Sequence, residues 1–350
     1  MRLLILTQTV DRNDQTLGFF HRWVEEFASQ CEHVHVVCLF EGQHSLPINV
    51  TVLSLGKEER ASRLQYLYRF FVYIRKYRND YDAVFVHMNQ LYVLLGGALW
   101  HLWGKRVVLW YAHGAVSASL WLAEKITQDV VTSTTEGFRI PSRKLHVVGQ
   151  GIDTTHFVRR ASGYRPSCIR VIYVGRISPV KHCEVLIEAV AELLARGAHA
   201  ELTLVGDITA SEIQPYYASL CERIRVLGLA AHVVFAGGVP HTEVSRYLCN
   251  ADVFVNPSET GSLDKAGLEA IAAGVPLITC NEAFVGVLGT YAMRLMFPKG
   301  DSLALAARIV AIHRANDRKE MTRVLAEAVQ REHSLVQLIP RVLAVLKKQP

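Results

Sequence analysis

No apolar run in this 350-residue chain approaches the ~20 residues that a membrane-spanning helix needs. The longest candidate, LYVLLGGALWHLWG, covers about 14 residues and reads as a buried or in-plane helix. At the amino terminus, the apolar stretch of MRLLILTQTVDRND is too short for a signal peptide and reads as a first strand. Cysteine is scarce: seven residues, at 31, 38, 168, 183, 221, 249 and 280, with no CxxC pair and no metal-ligand spacing. Structural zinc is therefore not expected, and a reducing cytoplasm is the simplest home. Low-complexity tracts and short internal repeats are missing too. What is left is 50% hydrophobic and 20% charged, a globular composition on a chain long enough for two domains.

The charge is uneven. Residues 1–165 hold 19 Lys and Arg against 14 Asp and Glu, whereas 166–350 hold 19 against 18, so the first half carries nearly all of the net +6. That bias suits an anionic partner or a membrane surface on that side. It is densest at 57–78, KEERASRLQYLYRFFVYIRKYR, a predicted helix with seven basic, two acidic and six aromatic residues. Leu64, Leu67, Phe71 and Ile74 fall at helical spacing as its core stripe, which leaves Arg60, Arg63, Tyr66, Arg69, Tyr73 and Lys76 partly outside. Two readings stand: an interfacial helix that meets anionic lipid, or a solvated face over an ordinary core stripe.

Strands and helices alternate along the rest. LLILTQ, a polar loop and the helix LGFFHRWVEEFASQ open the chain, with Leu17, Phe20, Val24 and Phe27 on one helical face. Gly18, at the start of that helix, permits close approach of backbone to a bound group. VHVVCLF, NVTVLSL, AVFVHM and RVVLWYAHG are further strands, and the last ends in His113 at the mouth of the sheet. On these residues alone, His113 reads as a loop histidine bonded to nearby backbone. Residues 153–167 are polar, basic and loosely patterned, and read as a linker. Strands IRVIYVG, ELTLVGD and HVVFAG then alternate with helices, so each half predicts a parallel sheet.

The stretch 256–279, NPSETGSLDKAGLEAIAAGVPLIT, is where the local signals agree best. ADVFVNPS is a short buried strand running into a loop, and Asp264 or Lys265 opens an amphipathic helix closed by Gly274, with Pro276 beyond. The loop before Lys265 thus lies at a strand's carboxyl end and a helix's amino end, where backbone N–H groups and partial positive charge favour a phosphate. Glu269, about one turn further in, is placed to accept from a sugar or ribose hydroxyl.

PSETGSLDKAGLEAIAAGVPLI resembles the donor-site signature of family 4 (group 1) retaining glycosyltransferases of the GT-B fold. In that signature a Pro-Ser pair, two glutamates separated by seven residues, and Ala-Gly-x-Pro follow in order. Pro257-Ser258, Glu269-Ala270 and Ala273-Gly274-Val275-Pro276 keep the spacing. The first glutamate does not survive: its place falls on Gly261, and a following family glycine falls on Asp264. Glu259 or Asp264 is then the candidate to take over that contact to the donor sugar. Upstream, His113-Gly114 resembles a family histidine that reaches the donor sugar or the reacting centre. GQGIDTTHF resembles the run that ends the first domain, and Gly175-Arg176 with Lys181 matches the residues that hold the donor diphosphate.

The resemblance implies an α/β GT-B fold, two Rossmann-like domains with parallel sheets facing a central cleft. Residues 1–160 would bind acceptor, 161–332 the nucleotide-sugar, and a helix at about 333–350 would cross back to the amino-terminal domain. It implies a donor site built from Gly18, Gly175, Arg176, Lys181, Gly238, Val239, Gly261, Ser262, Leu263, Asp264, Lys265 and Glu269, in which the nucleobase packs against the backbone of Gly238 and Val239. His113, Arg176, Lys181 and Asp264 would serve catalysis. Nothing in the sequence looks like a paired acidic metal site, so no obligatory metal and no cofactor are expected. The expected activity is transfer from a UDP- or GDP-linked sugar to a glycan or lipid-linked acceptor in cell-surface polysaccharide or glycolipid synthesis. The expected setting is cytoplasmic, with peripheral contact to anionic membrane through the first domain and no nucleic acid partner. Two alternatives are a degenerate, non-enzymatic binding module, for which the lost glutamate speaks, and a nucleotide-sugar epimerase.

Overall fold

The computed structural model describes residues 1–157, 167–258 and 261–348. It divides into two compact units: Met1–Gly151, Pro240–Thr242 and Glu332–Pro350 form the first, and Ile152–Val239 with Glu243–Arg331 the second. The division falls at Gly151/Ile152, ahead of the 160/161 boundary that the resemblance implied, because Ile152 and Phe157 are buried in the core of the second unit. Of the linker read at 153–167, residues 158–166 lie outside the described residues.

In the first unit β1 (Arg2–Val10), α1 (Gly18–Gln30), β2 (His33–Glu41), β3 (Val50–Ser54), α2 (Arg63–Lys76), β4 (Ala83–His87) and α3 (Gln90–Leu102) follow in turn. β5 (Arg106–Trp110), α4 (Ala118–Ile126), β6 (Asp129–Thr132) and β7 (Leu145–Val147) complete a seven-stranded sheet of order β3-β2-β1-β4-β5-β6-β7. Each ladder is parallel; Leu3, for example, pairs with Val34 on one side and Ala83 on the other. Such strands need apolar residues facing both ways, which is why they read as near-continuous Val, Ile and Leu runs. One face is covered by α1 through Phe20, Trp23, Val24 and Phe27. The other is covered by α2, α3 and α4 through Phe70, Ile74, Val93, Trp100 and Leu120.

The structure corrects the reading of 57–78. The helix begins only at Arg63, because Ser62 caps it with a reciprocal Ser62–Gln65 capping box and Arg60 sits in the left-handed region (φ 56°). Its buried side runs through Phe70 and Ile74 with Tyr66, Tyr73 and Tyr77 packed beside them, whereas Leu64, Leu67, Tyr68 and Val72 face outward.

In the second unit β8 (Ile169–Val174), α5 (Cys183–Ala195), β9 (Ala200–Val205), α6 (Gln214–Val226), β10 (Val233–Gly237), α7 (His241–Cys249), β11 (Val253–Asn256), α8 (Lys265–Ala272) and β12 (Leu277–Thr279) give a five-stranded parallel sheet of order β10-β9-β8-β11-β12. Two single turns, α9 (Val285–Leu288) and α10 (Ala292–Leu295), lead to α11 (Ser302–His313) and α12 (Arg318–His333). The chain then returns to the first unit as α13 (Leu335–Leu346), whose Leu338, Ile339 and Val342 are buried with α1. There the Trp23 indole N–H donates to the carbonyl of Gly151 at 3.0 Å.

β8 and β11, the first and fourth strands of this unit, lie side by side, and one ion pair locks their starts together. Arg170 donates from Nε and Nη2 to the Asp252 carboxylate at 2.9 and 3.0 Å, with the Asp252 side chain only 3% exposed. Asp252→Ala takes this carboxylate from a part-buried guanidinium, so we expect a loss of about 1.5–3 kcal/mol in a denaturant titration.

Two buried histidines of the first unit weaken it in acid. His35 and His333 are buried, their Nδ1 atoms have no hydrogen-bond partner, and burial pushes both from 6.5 down to about 4. They are neutral in the fold and charged in the unfolded chain below pH 6.5, so their contribution is complete above that pH and lost as pH falls toward 4. We expect the melting temperature to drop between neutral pH and about pH 5, by an amount equivalent to about 2 kcal/mol per histidine, and His333→Phe to flatten the slope.

Candidate functional site

The polar residues of the second unit gather at the carboxyl ends of β8 and β11, the topological switch point of its sheet, where open α/β sheets bind ligands. β8 runs out into Gly175 and Arg176, and two close approaches shape that exit. A Cβ on Gly175 would lie 2.6 Å from the Tyr173 hydroxyl, and one on Gly206 would lie 2.0 Å from the Gly175 carbonyl oxygen. The Tyr173 hydroxyl in turn donates to the Arg176 carbonyl at 3.0 Å, which folds the loop back over its strand. A turn at Pro179–Lys181, closed by His182 in the left-handed region (φ 48°), sends the chain into α5 and aims Lys181 across the sheet.

Lys181 is 9% exposed, and its ammonium reaches the elements that follow β11. It donates to both Asp264 carboxylate oxygens at 3.0 and 3.1 Å and to the Ser258 hydroxyl at 3.2 Å. Asn256, the last residue of β11, donates from Nδ2 to Asp264 at 2.9 Å and accepts the Ser258 N–H at 2.9 Å. The Thr279 hydroxyl donates to the Asn256 carbonyl, and Asn281 Nδ2 to the Ser262 carbonyl, so β12 is tied into the same net. Sequence reasoning passed over Asn256 as a site residue; a polar residue closing the apolar strand VFVN was the signal that could have found it.

Asp264 is the N-cap of α8, yet its side chain makes no capping hydrogen bond and goes to Lys181 instead. Asp is a preferred N-cap because its oxygen accepts a first-turn N–H, so this carboxylate gives up a local bond for an ion pair across the sheet. Lys265 follows at the helix start. Burial pushes its ammonium down to about 7, against the opposing pull of the Glu269 carboxylate one turn on.

Gly175, Arg176, Lys181, Asp264, Lys265 and Ala266 line one hollow of about 210 Å³. Pockets that enclose a drug-sized ligand run to ~300–1,000 Å³, so this hollow suits a charged portion of a larger molecule. Glu269 is buried on α8, and Leu263 is buried in the core, so only its backbone is on offer. Gly261 has φ +66°, a conformation that an L residue adopts only with strain, which fits the absence of a glutamate there. Glu259 lies outside the described residues. Gly238 and Val239 follow the edge strand β10, which β9 separates from β8, and they do not line the hollow. Among the described residues, no group of three or more His, Cys, Asp or Glu is arranged to hold a metal ion.

Gly18 and His113 belong to the first unit. A Cβ on Gly18 would sit 3.1 Å from the Arg12 carbonyl oxygen, so the loop before α1 closes tightly. His113 is exposed, and its Nδ1 accepts the Ala115 N–H at 3.1 Å, which leaves Nε2 as the proton-bearing nitrogen of the neutral ring. The Tyr111 hydroxyl donates to the Ala115 carbonyl at 2.9 Å and holds the same turn.

Residues 168–315 match the family model described as glycosyl transferases group 1. Among curated relatives, the putative colanic acid biosynthesis glycosyltransferase WcaL of Escherichia coli is 30% identical over 215 residues, 59% of this chain and 51% of the relative. The GDP-mannose-dependent alpha-(1-6)-phosphatidylinositol monomannoside mannosyltransferase of Mycolicibacterium smegmatis is 34% identical over 156 residues, 39% of this chain and 38% of the relative. The chain thus spans about half or less of the length of these relatives. Among solved structures, Anabaena Alr3699/HepE with UDP and glucose superposes with a TM-score of 0.78 at 17% identity, covering 99% of both chains. Sucrose-phosphate synthase from Thermosynechococcus elongatus gives 0.80 at 18%, covering 99% of this chain and 98% of that one. The protein therefore has the GT-B fold, and the segment that builds the hollow, residues 168–315, is a domain of the group 1 glycosyltransferase family.

Proposed function

We propose that the protein is a retaining glycosyltransferase that moves a sugar from a UDP- or GDP-linked donor to a glycan or lipid-linked acceptor of cell-surface polysaccharide or glycolipid synthesis. The observation that carries this reading is the convergence of Arg176, Lys181, Lys265 and the start of α8 on one hollow at the sheet's switch point. A pyrophosphate brings negative charge to be neutralised as the sugar leaves. A guanidinium binds two of its oxygens at once, an ammonium supplies a point charge, and a helix amino terminus adds oriented N–H groups. Together these groups supply preorganised positive charge at the leaving oxygen, which is the role of a metal in other transferases, so no obligatory metal is proposed. The GDP-mannose dependence of the mannosyltransferase relative and the UDP bound to Alr3699/HepE support a nucleotide-sugar donor of one of these two kinds.

On this reading a diphosphate replaces the Asp264 carboxylate as counter-ion of Lys181. Asp264 then becomes the acceptor for a donor-sugar hydroxyl, the contact that Gly261 has no side chain to make. Glu269 accepts from a hydroxyl of the ribose or sugar beside it. The acceptor hydroxyl attacks the anomeric carbon on the leaving group's own face, the bond to phosphate oxygen breaks, and that oxygen takes the acceptor's proton. No enzymic base is needed, and His113 positions a hydroxyl through its Nε2–H. The seven scattered cysteines, four of them buried, fit a reducing cytoplasm.

Incubation with a panel of nucleotide-sugars and chelator tests the proposal. We expect turnover to persist under chelator, and Arg176→Ala and Lys181→Ala each to lower it about 10²–10³-fold. Full activity in the double variant would remove the diphosphate assignment, and binding without turnover on any acceptor would assign a binding module instead. Lys265 adds a pH signature. An anion beside it favours the charged form, so donor affinity should fall as pH rises through about 7, and Lys265→Met should abolish that dependence in a calorimetric titration.

A further inference from the structure

In the first unit, the loops that follow the adjacent parallel strands β5 and β6 leave the sheet at its carboxyl edge and pack on one another. A Cβ on Gly137 would lie 2.7 Å from the Thr132 hydroxyl oxygen and 3.5 Å from the Ala112 Cα, so the turn Thr135–Gly137 closes against the loop that carries His113. Thr134 caps that turn, its hydroxyl accepting the Gly137 N–H at 3.2 Å. Phe138 and Ile140 follow, both buried, with Phe138 edge-on to Tyr111. Arg139, between these two anchors, is turned outward and exposed. Its guanidinium lies flat over Gly114: a Cβ there would lie 3.0 Å from Cζ, 3.0 Å from Nη2 and 3.2 Å from Nε, so any side chain at 114 crowds it.

Packing therefore holds Arg139 beside His113, and its charge is not used in the fold. Among the described residues no hydrogen bond or ion pair takes up its N–H groups. The Glu136 carboxylate feels that charge but accepts from its own backbone N–H and from the Thr135 hydroxyl at 2.8 Å. A planar fork of donors left open at the ligand end of a parallel sheet matches two oxygens of one phosphate or carboxylate. The cations proposed for the donor diphosphate, Arg176, Lys181 and Lys265, all belong to the second unit, which leaves this one for the acceptor. We infer that Arg139 binds an anionic group of the acceptor, a phosphate or a carboxylate, next to the hydroxyl that His113 positions. The acceptor role rests on the transferase reading, whereas the anion site itself is a property of the first unit alone.

Saturation-transfer NMR on the full chain at low salt, with mannose, mannose 6-phosphate and glucuronate as probes, tests the site. Arg176→Ala with Lys181→Ala is the background, so that the second unit's hollow does not hold the probe and no turnover is needed. We expect anionic sugar to bind and mannose not to, and the stronger of the two anions identifies the group as phosphate or carboxylate. Adding Arg139→Ala should weaken that binding about tenfold, and Arg139→Lys should restore part of it. Gly114→Ala, which displaces the guanidinium and changes no charge, should weaken it as well. Equal binding of mannose, no binding of either anion, or anion binding that Arg139→Ala leaves intact overturns the inference. In the native chain with donor, acceptors bearing that group should exceed their neutral counterparts in kcat/KM about tenfold, a preference that Arg139→Ala removes. No such preference in the native chain overturns the acceptor role. A protein that turns over no nucleotide-sugar yet binds anion through Arg139 loses the transferase reading and keeps the anion site.

Discussion

The arrangement of the second unit depends on one reach across the sheet, the Lys181 ammonium extending from the loop after β8 to Asp264 and Ser258 beyond β11. A nearly buried ammonium is tolerable only with partners in place, and these partners sit on the neighbouring strand's exit. The need to satisfy Lys181 therefore fixes the loop that carries it, the end of β11 and the start of α8 in one geometry. Arg176 and Lys265 border the same hollow because they flank the two ends of that contact.

The same contact explains how this chain departs from the donor signature that it resembles. A glycine in place of Asp264 would leave Lys181 without its counter-ion, and a glutamate in place of Gly261 would meet a left-handed backbone. The two departures are neighbours in structure, since both lie in the short loop between β11 and α8. Asp264 spends its oxygens on Lys181 and Asn256 rather than on capping α8, a choice that local helix preference does not favour and that the across-sheet charge imposes.

Much of this was legible in the sequence, for reasons that can be named. The strand and helix alternation survives intact because buried parallel strands require apolar residues on both faces, and runs such as LLIL and VVLW admit few other readings. The group of Arg176, Lys181, Asp264 and Lys265 was found because a motif fixed their spacing relative to strand ends. The orientation of α2 was not legible. Of the stripe Leu64, Leu67, Phe71 and Ile74, the last two pack on the core and the first two face out, while Tyr66, Phe70, Tyr73 and Tyr77 make a second stripe at helical spacing. Periodicity cannot choose between them, and packing of Phe70 on Tyr92 and Trp100 does. Asn256 escaped for a different reason: its bond to Asp264 is visible only in coordinates, and its one trace in the sequence is a polar residue closing an apolar strand.

The central claim, that the hollow beneath Arg176 and Lys181 receives a donor diphosphate, is tested most directly by a crystal structure with a bound UDP- or GDP-sugar. The account predicts phosphate oxygens within hydrogen-bond distance of Arg176, Lys181 and the first turn of α8, with Asp264 released from Lys181 toward the sugar. A diphosphate bound elsewhere, with the Lys181–Asp264 pair still closed, would contradict it.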